Sequence, residues 1–155
     1  MKLDSSHDIA APIDFVFGEM SDFPAIERAA MRRGAEVQRV DDLTRKAPGM
    51  AWDASFELRG KTRRIRLELT EYTPPDAMAF TFRSPSVSGT LTVDMVALSR
   101  TRTRVNMQMR MVAEALTGKL LLQSLKLARK TLQGRIDARM AAYMDDLEKR
   151  YRRTV

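Results

Sequence analysis

Cysteine is absent from the 155 residues. That absence removes disulfides, zinc–thiolate sites and thiol nucleophiles together, and it fits a reducing compartment. Histidine is nearly as scarce. His7 is the only one, so a histidine metal cluster is excluded, and any Ser-His-Asp arrangement would have to use it. No apolar run approaches the roughly 20 residues that cross a bilayer; Leu120-Leu121-Leu122 is flanked by Lys119 and Lys126. The opening MKLDSSHDIAAP has no apolar core of a secretory signal. The expected setting is therefore cytoplasmic. Internal repeats, low-complexity tracts and Gly/Ser linkers are also missing, so residues 1–155 are expected to form one domain. No P-loop, dinucleotide fingerprint or HExxH occurs, and neither a metal nor a cofactor is expected.

What is present is an ordinary globular composition, 44% hydrophobic and 30% charged, enough for a core without staples. Lys and Arg total 27 against 20 for Asp and Glu, a net charge of +7. Such a balance favours encounters with anionic partners and says nothing of fold.

Hydropathy alternates along residues 2–9, with Leu3, Ser5, His7 and Ile9 on one side, which predicts a strand with one wet face. Pro12 is placed to open a short helix with Asp14 in its first turn and Phe15, Val16, Phe17 and Met20 on its apolar face. Asp22 caps a second short helix, which Gly34 closes. From residue 35 the period becomes two. Val37 lies in a weak strand, and Trp52–Leu58 and Ile65–Leu69 form a hairpin turning at Gly60-Lys61. Met78–Phe82, Gly89–Met95 and Val105–Met111 complete seven strands, an antiparallel meander covered on one side. Leu121, Leu125, Ala128, Leu132, Ile136, Met140, Tyr143, Leu147 and Tyr151 then recur every three or four residues. They predict one amphipathic helix of roughly 50 Å crossing the sheet, capped by Thr117, with Gly134 as a candidate bend.

The element order, together with Ile9-Ala10-Ala11-Pro12 through Val16-Phe17, Asp22, the Phe56–Lys61 hairpin, the Pro74-Pro75 turn and Thr103-Arg104-Val105, resembles the START-like superfamily of polyketide cyclases, dehydrases and lipid-transport proteins. The likeness runs over essentially the whole chain. It implies the α+β helix-grip fold, a curved seven-stranded antiparallel sheet wrapped around a long C-terminal helix, with two short helices between strands 1 and 2. It also implies a cavity between sheet and helix. It implies no single activity, because fold alone does not give function.

Candidate site residues follow from the inward sheet face. Trp52, Phe56, Leu67, Leu69, Phe80, Phe82, Leu91, Val93, Met107 and Met109, with Leu125 and Leu132 from the helix, are the expected ligand-binding lining. Ala54 and Gly89 leave room, and methionine makes the wall adaptable. The rival reading is a solid core. The expected entrance lies at the short helices, around Phe17, Phe23 and Met31. With almost no inward polar group, the expected partner is a hydrophobic small molecule (a lipid, quinone or polyketide-like compound), held by burial.

Two alternatives remain at this point. His7 is the one candidate acid/base for a cyclase- or dehydrase-like enzyme, although a locally hydrogen-bonded histidine is the plainer reading. The adjacent acids Asp41-Asp42 and Asp145-Asp146 diverge on any strand or helix, so neither makes a catalytic pair. On the outward face, Arg64, Arg66, Arg83, Arg104 and Arg110 form a basic patch, a solvated surface or a site for weak association with anionic membrane or RNA. The chain is expected to be a monomer or homodimer.

Overall fold

The computed structural model describes all residues, Met1–Val155. Strand β1 (Lys2–Ile9) leads into helices α1 (Ile13–Met20) and α2 (Phe23–Arg32). Strands β2 (Glu36–Arg39), β3 (Ala51–Leu58), β4 (Lys61–Thr73), β5 (Ala77–Arg83), β6 (Val87–Ser99) and β7 (Arg102–Ala113) follow as a meander. The sheet order is β1-β7-β6-β5-β4-β3-β2, all antiparallel. This is the helix-grip α+β fold, closed at one edge by β1 pairing with β7 from Lys2↔Arg110 to Ile9↔Thr103.

The local chemistry behaves as the alternation requires. Pro12 is the cap rather than the first helical residue of α1, with extended ψ. Asp22 accepts a hydrogen bond from the Ala25 amide at the start of α2. The β3–β4 hairpin turns one residue earlier than expected. Leu58 pairs with Lys61, leaving Arg59 (φ +53°) and Gly60 (φ +75°) as the two-residue loop. Two left-handed residues give a turn whose twist matches that of the strands.

The C-terminal segment departs from the sequence expectation. It forms two helices, α3 (Leu116–Leu127) and α4 (Arg129–Thr154), about 18 and 39 Å long at the α-helical rise. They meet at Ala128, where φ is −97° and ψ is 17°, and not at Gly134. Ala115, not Thr117, stands at the start of α3, and no side chain caps it. The Thr117 hydroxyl instead shares a hydrogen bond with the Ser86 hydroxyl at 2.8 Å. The break has a packing reason. α3 seats on β7 and the β5–β6 turn, whereas α4 seats on β1 and α1. A straight rod cannot present its apolar stripe to both.

The principal core lies between the sheet, α1 and the C-terminal half of α4, with Ile9, Val16, Leu69, Val105 and Leu147 essentially inaccessible. A second, smaller cluster of Val87, Leu122 and Leu125 sits under α3. Glu19 of α1 accepts from Arg150 of α4 at 2.8 Å, and the Ala10 amide donates to Glu148 at 2.7 Å. These ties fix the far end of α4 against the helical layer.

Candidate functional site: an apolar cleft under the third helix

The inward face divides into a closed end and an open end. At the closed end, Phe23 of α2 reaches into the sheet and packs edge-on to Trp52 and Phe80, with ring centroids 5.3 and 6.0 Å away. Trp52 and Phe80 lie 6.3 Å apart. The three rings bury one another, and aromatic contacts of this kind add stability beyond area burial. Trp52, Leu69, Phe80 and Val93 are therefore closed-core residues, and Met107 packs against them. Phe17 is buried beside Tyr72, while Met31 stands exposed on α2. At the expected entrance, Phe23 fills the space over Trp52 and Phe80, and Phe17 is closed in, while Met31 lies on the surface. The reason is that α2 uses its first residue to fill the hollow that alternation alone leaves over the sheet.

The open end lies at the other side of the molecule, beneath α3. A cleft of about 510 Å³ is walled by Phe56, Leu58, Ile65 and Leu67 from the β3–β4 hairpin. Phe82, Val87, Leu91, Met109 and Met111 form its floor, and Leu121, Leu122 and Leu125 of α3 form its roof. The size falls within the range of small-molecule sites, and the lining is mostly apolar. Of the lining expected from sequence, the structure brings together Phe56, Leu67, Phe82, Leu91, Met109 and Leu125. Leu132 packs beside the smaller cluster without lining the cleft.

Two glycines shape this space. Gly89 on β6 lies under Phe82, where an added Cβ would stand 2.4 Å from the ring. Gly118, in the first turn of α3, lies against the Ser86 backbone. A Cβ there would come 1.8 Å from the Ser86 carbonyl oxygen, which also accepts from the Glu114 amide. The missing side chain lets α3 dock low on the β5–β6 turn and roof the cleft.

The cleft carries a polar group that the inward-face reading overlooked. Arg63, half-buried on β4, lines it beside Phe56, its cross-strand partner. Its Nε donates to the Leu58 carbonyl at 3.3 Å, and no carboxylate pairs with it. Continuing the Leu67, Ile65 alternation one further step toward the hairpin tip points to this residue. Thr62, Arg64, Ser84 and Ser86 complete the polar rim. The lining contains no carboxylate and no imidazole.

His7 is not at the cleft. It points from β1 toward α4, where Ser5 Oγ lies 2.6 Å from its Nε2 and 2.9 Å from Asp137 Oδ1. A carboxylate only accepts, so the serine hydroxyl donates to Asp137 and accepts from the His7 Nε2–H. This order is the reverse of a nucleophile activated by histidine. Gln133 also donates to Asp137, at 3.1 Å, so the group is a satisfied polar seam between β1 and α4.

The outward arginines are partly neutralised. Arg66 grips Asp53 at 2.5 and 3.2 Å, and Arg104 grips Asp8 at 2.8 and 3.1 Å. In each pair the guanidinium holds the aspartate below its usual range, chiefly through the hydrogen bond. Arg110 donates to Gln108. Arg83 stands opposite Arg66 in register, and Arg64 opposite Ser55. Asp41 is structural: it accepts from Arg39 at 2.5 and 2.6 Å and from the Leu43 and Ala51 amides at 2.9 Å each. The Arg39 hydrogen bond, with help from the two amides and against burial, holds its carboxyl far below the carboxylate range. Among helices, none is long and apolar enough to cross a membrane.

The sequence model of the family described as polyketide cyclase / dehydrase and lipid transport matches residues 1–148. No curated protein matches the chain. Among solved structures, the protein TTHA0849 from Thermus thermophilus superposes with a TM-score of 0.70 at 16% identity, covering 95% of this chain and 97% of that one. The Zhui aromatase/cyclase from Streptomyces sp. R1128 gives 0.65 at 15% identity, with coverage of 99% and 94%. A START superfamily protein from Mycobacterium smegmatis gives 0.59 at 13% identity, with coverage of 86% and 95%. At such identities the likeness is one of fold.

Proposed function

The chain belongs to the polyketide cyclase / dehydrase and lipid transport family, and on that premise we propose that it binds or carries an elongated apolar small molecule, a lipid, quinone or polyketide-like compound, in the cleft under α3. The observation that carries this reading is a roughly 510 Å³ apolar cleft with Arg63 and Arg64 at its edge, of which Arg63 is the one on the inward strand face. Burial of the ligand body supplies affinity, at about 25 cal/mol per Å² of apolar surface removed from water. Arg63 supplies orientation, because its terminal nitrogens are free to donate to a carboxylate, phosphate or carbonyl at one end of the ligand. The lining offers no group with which to move protons at neutral pH, which favours binding over acid–base catalysis.

Native mass spectrometry of protein purified from cells, together with displacement of an apolar fluorescent probe, tests the reading. The expected result is a co-purified amphiphile that competes with the probe. In Arg63→Ala, acidic competitors weaken at least tenfold and neutral ones hold, as expected for loss of a charge-assisted contact. A protein that carries nothing and does not take up the probe is not a binder. Equal competition by acidic and neutral molecules in both proteins removes the role given to Arg63.

A further inference from the structure

The outer side of α3 is as unusual as its inner side. Leu116, Leu120 and Leu127, spaced at four and seven residues, form a stripe directly away from the cleft and are 70%, 58% and 92% exposed. Lys119 and Lys126 flank this stripe on one side and line a groove of about 420 Å³ against Met1, Met111 and Val112. Val112 is itself 59% exposed. From Ala115 through Ile136 the chain contains five cations, Lys119, Lys126, Arg129, Lys130 and Arg135, and no acidic residue. Leucines on one face with lysines beside them and no acid within the helix itself is the composition of a helix that lies in a lipid interface.

We propose that α3 docks this protein onto an anionic lipid surface, with Leu116, Leu120 and Leu127 entering the acyl boundary and Lys119 and Lys126 meeting the headgroups. The charge pattern selects this occupant. A second copy placed on the same patch by a two-fold axis would bring no carboxylate from its own α3 to meet the lysines, and RNA would leave the leucines without an apolar partner. Lysine stems long enough to reach upward from a sunken helix also suit headgroup contact. The docking rests on the outer face of α3 alone and is independent of what occupies the cleft. If both readings hold, the roof of the cleft is the membrane-facing helix, so cargo would pass at the lipid surface.

Vesicle flotation tests this, using phosphatidylcholine with and without added phosphatidylglycerol. The protein is expected to float only with the anionic vesicles, and less so as salt rises. Leu120→Ser combined with Leu127→Ser should lower partitioning about tenfold or more, since each removes an apolar side chain from the interface. Circular dichroism should be unchanged, because both side chains already face water. Lys119→Glu with Lys126→Glu gives a second, independent loss. Failure of the unaltered protein to float, or flotation undiminished in both double variants, overturns the proposal. So does sedimentation showing a dimer that the leucine variant dissociates, because the patch is then covered by a second copy. A cleft-filled variant, Met109→Trp, is expected to float normally, which separates failure of docking from failure of ligand binding.

Discussion

Phe82 covers Gly89 of the neighbouring strand, so closely that a methyl group at position 89 would stand 2.4 Å from the ring and 2.1 Å from the Arg110 carbonyl oxygen. The glycine lowers the floor by one side chain, and Phe82 occupies the vacated height. Gly89→Ala is expected to destabilise the protein by about 2 kcal/mol, because the ring and the β6–β7 backbone must both move. It should also weaken apolar probe binding as Phe82 is pushed into the cleft. Urea unfolding and probe titration check both; unchanged values in each would mean the contact is looser than described.

The two ends of the inward face should respond oppositely to substitution. Trp52→Ala, in the plugged end, should cost about 3–5 kcal/mol, the usual range for an aromatic deleted from a closed core. Met109→Trp, on the cleft floor, should abolish probe uptake while stability changes by less than about 1.5 kcal/mol, since the ring enters existing space. Thermal melts beside probe titrations distinguish these outcomes. If Met109→Trp is as damaging as Trp52→Ala, the cleft is closed in solution.

Removing the imidazole should leave binding intact. His7→Ala interrupts a chain in which His7 donates to Ser5 and Ser5 donates to Asp137, at a cost of about 1 kcal/mol for one hydrogen bond. Probe affinity and ligand recovery should match the parent protein. A loss of either would connect the β1–α4 seam to the cleft.

Acid stability should depend on Asp41. Its carboxyl titrates far lower folded than unfolded, held there first by Arg39. A depressed folded value means that the contribution is full above the unfolded carboxylate range, near pH 4, and is lost as pH falls toward the folded value. Asp41→Asn should lower stability at neutral pH by about 2 kcal/mol and flatten the decline between pH 4 and pH 2. Denaturant midpoints measured across that window provide the check. A parallel decline in both proteins would assign the acid sensitivity to other groups.

Much of the architecture was legible in the sequence because each strand alternates cleanly. Phe56, Leu58, Ile65 and Leu67 face inward for the same reason that Glu57, Arg64 and Arg66 face outward, and a one-residue slip would expose the whole set. The Asp22 cap and the Gly34 stop were equally local. Alternation could not separate Trp52 and Phe80 from Phe82 and Leu91. All four face inward, and whether space remains over them depends on where Phe23 comes to rest. The break at Ala128 was hidden because the apolar period runs through it unchanged. Arg63 continues the Leu67, Ile65 alternation, but its charged side chain carries no apolar signal at that step.

The sequence by itself determined seven strands, their wet and dry faces, the short helices and an amphipathic C-terminal segment, because hydrophobic periodicity and capping act over a few residues. It also set the excess of positive charge and the absence of cysteine. Only the tertiary structure decided which end of the sheet is plugged and which is open. The cleft exists because Phe23 fills one end, Gly118 lets α3 sit on Ser86, and β1 pairs with β7 across about a hundred residues. Each is a meeting of distant segments, settled by packing rather than by local preference.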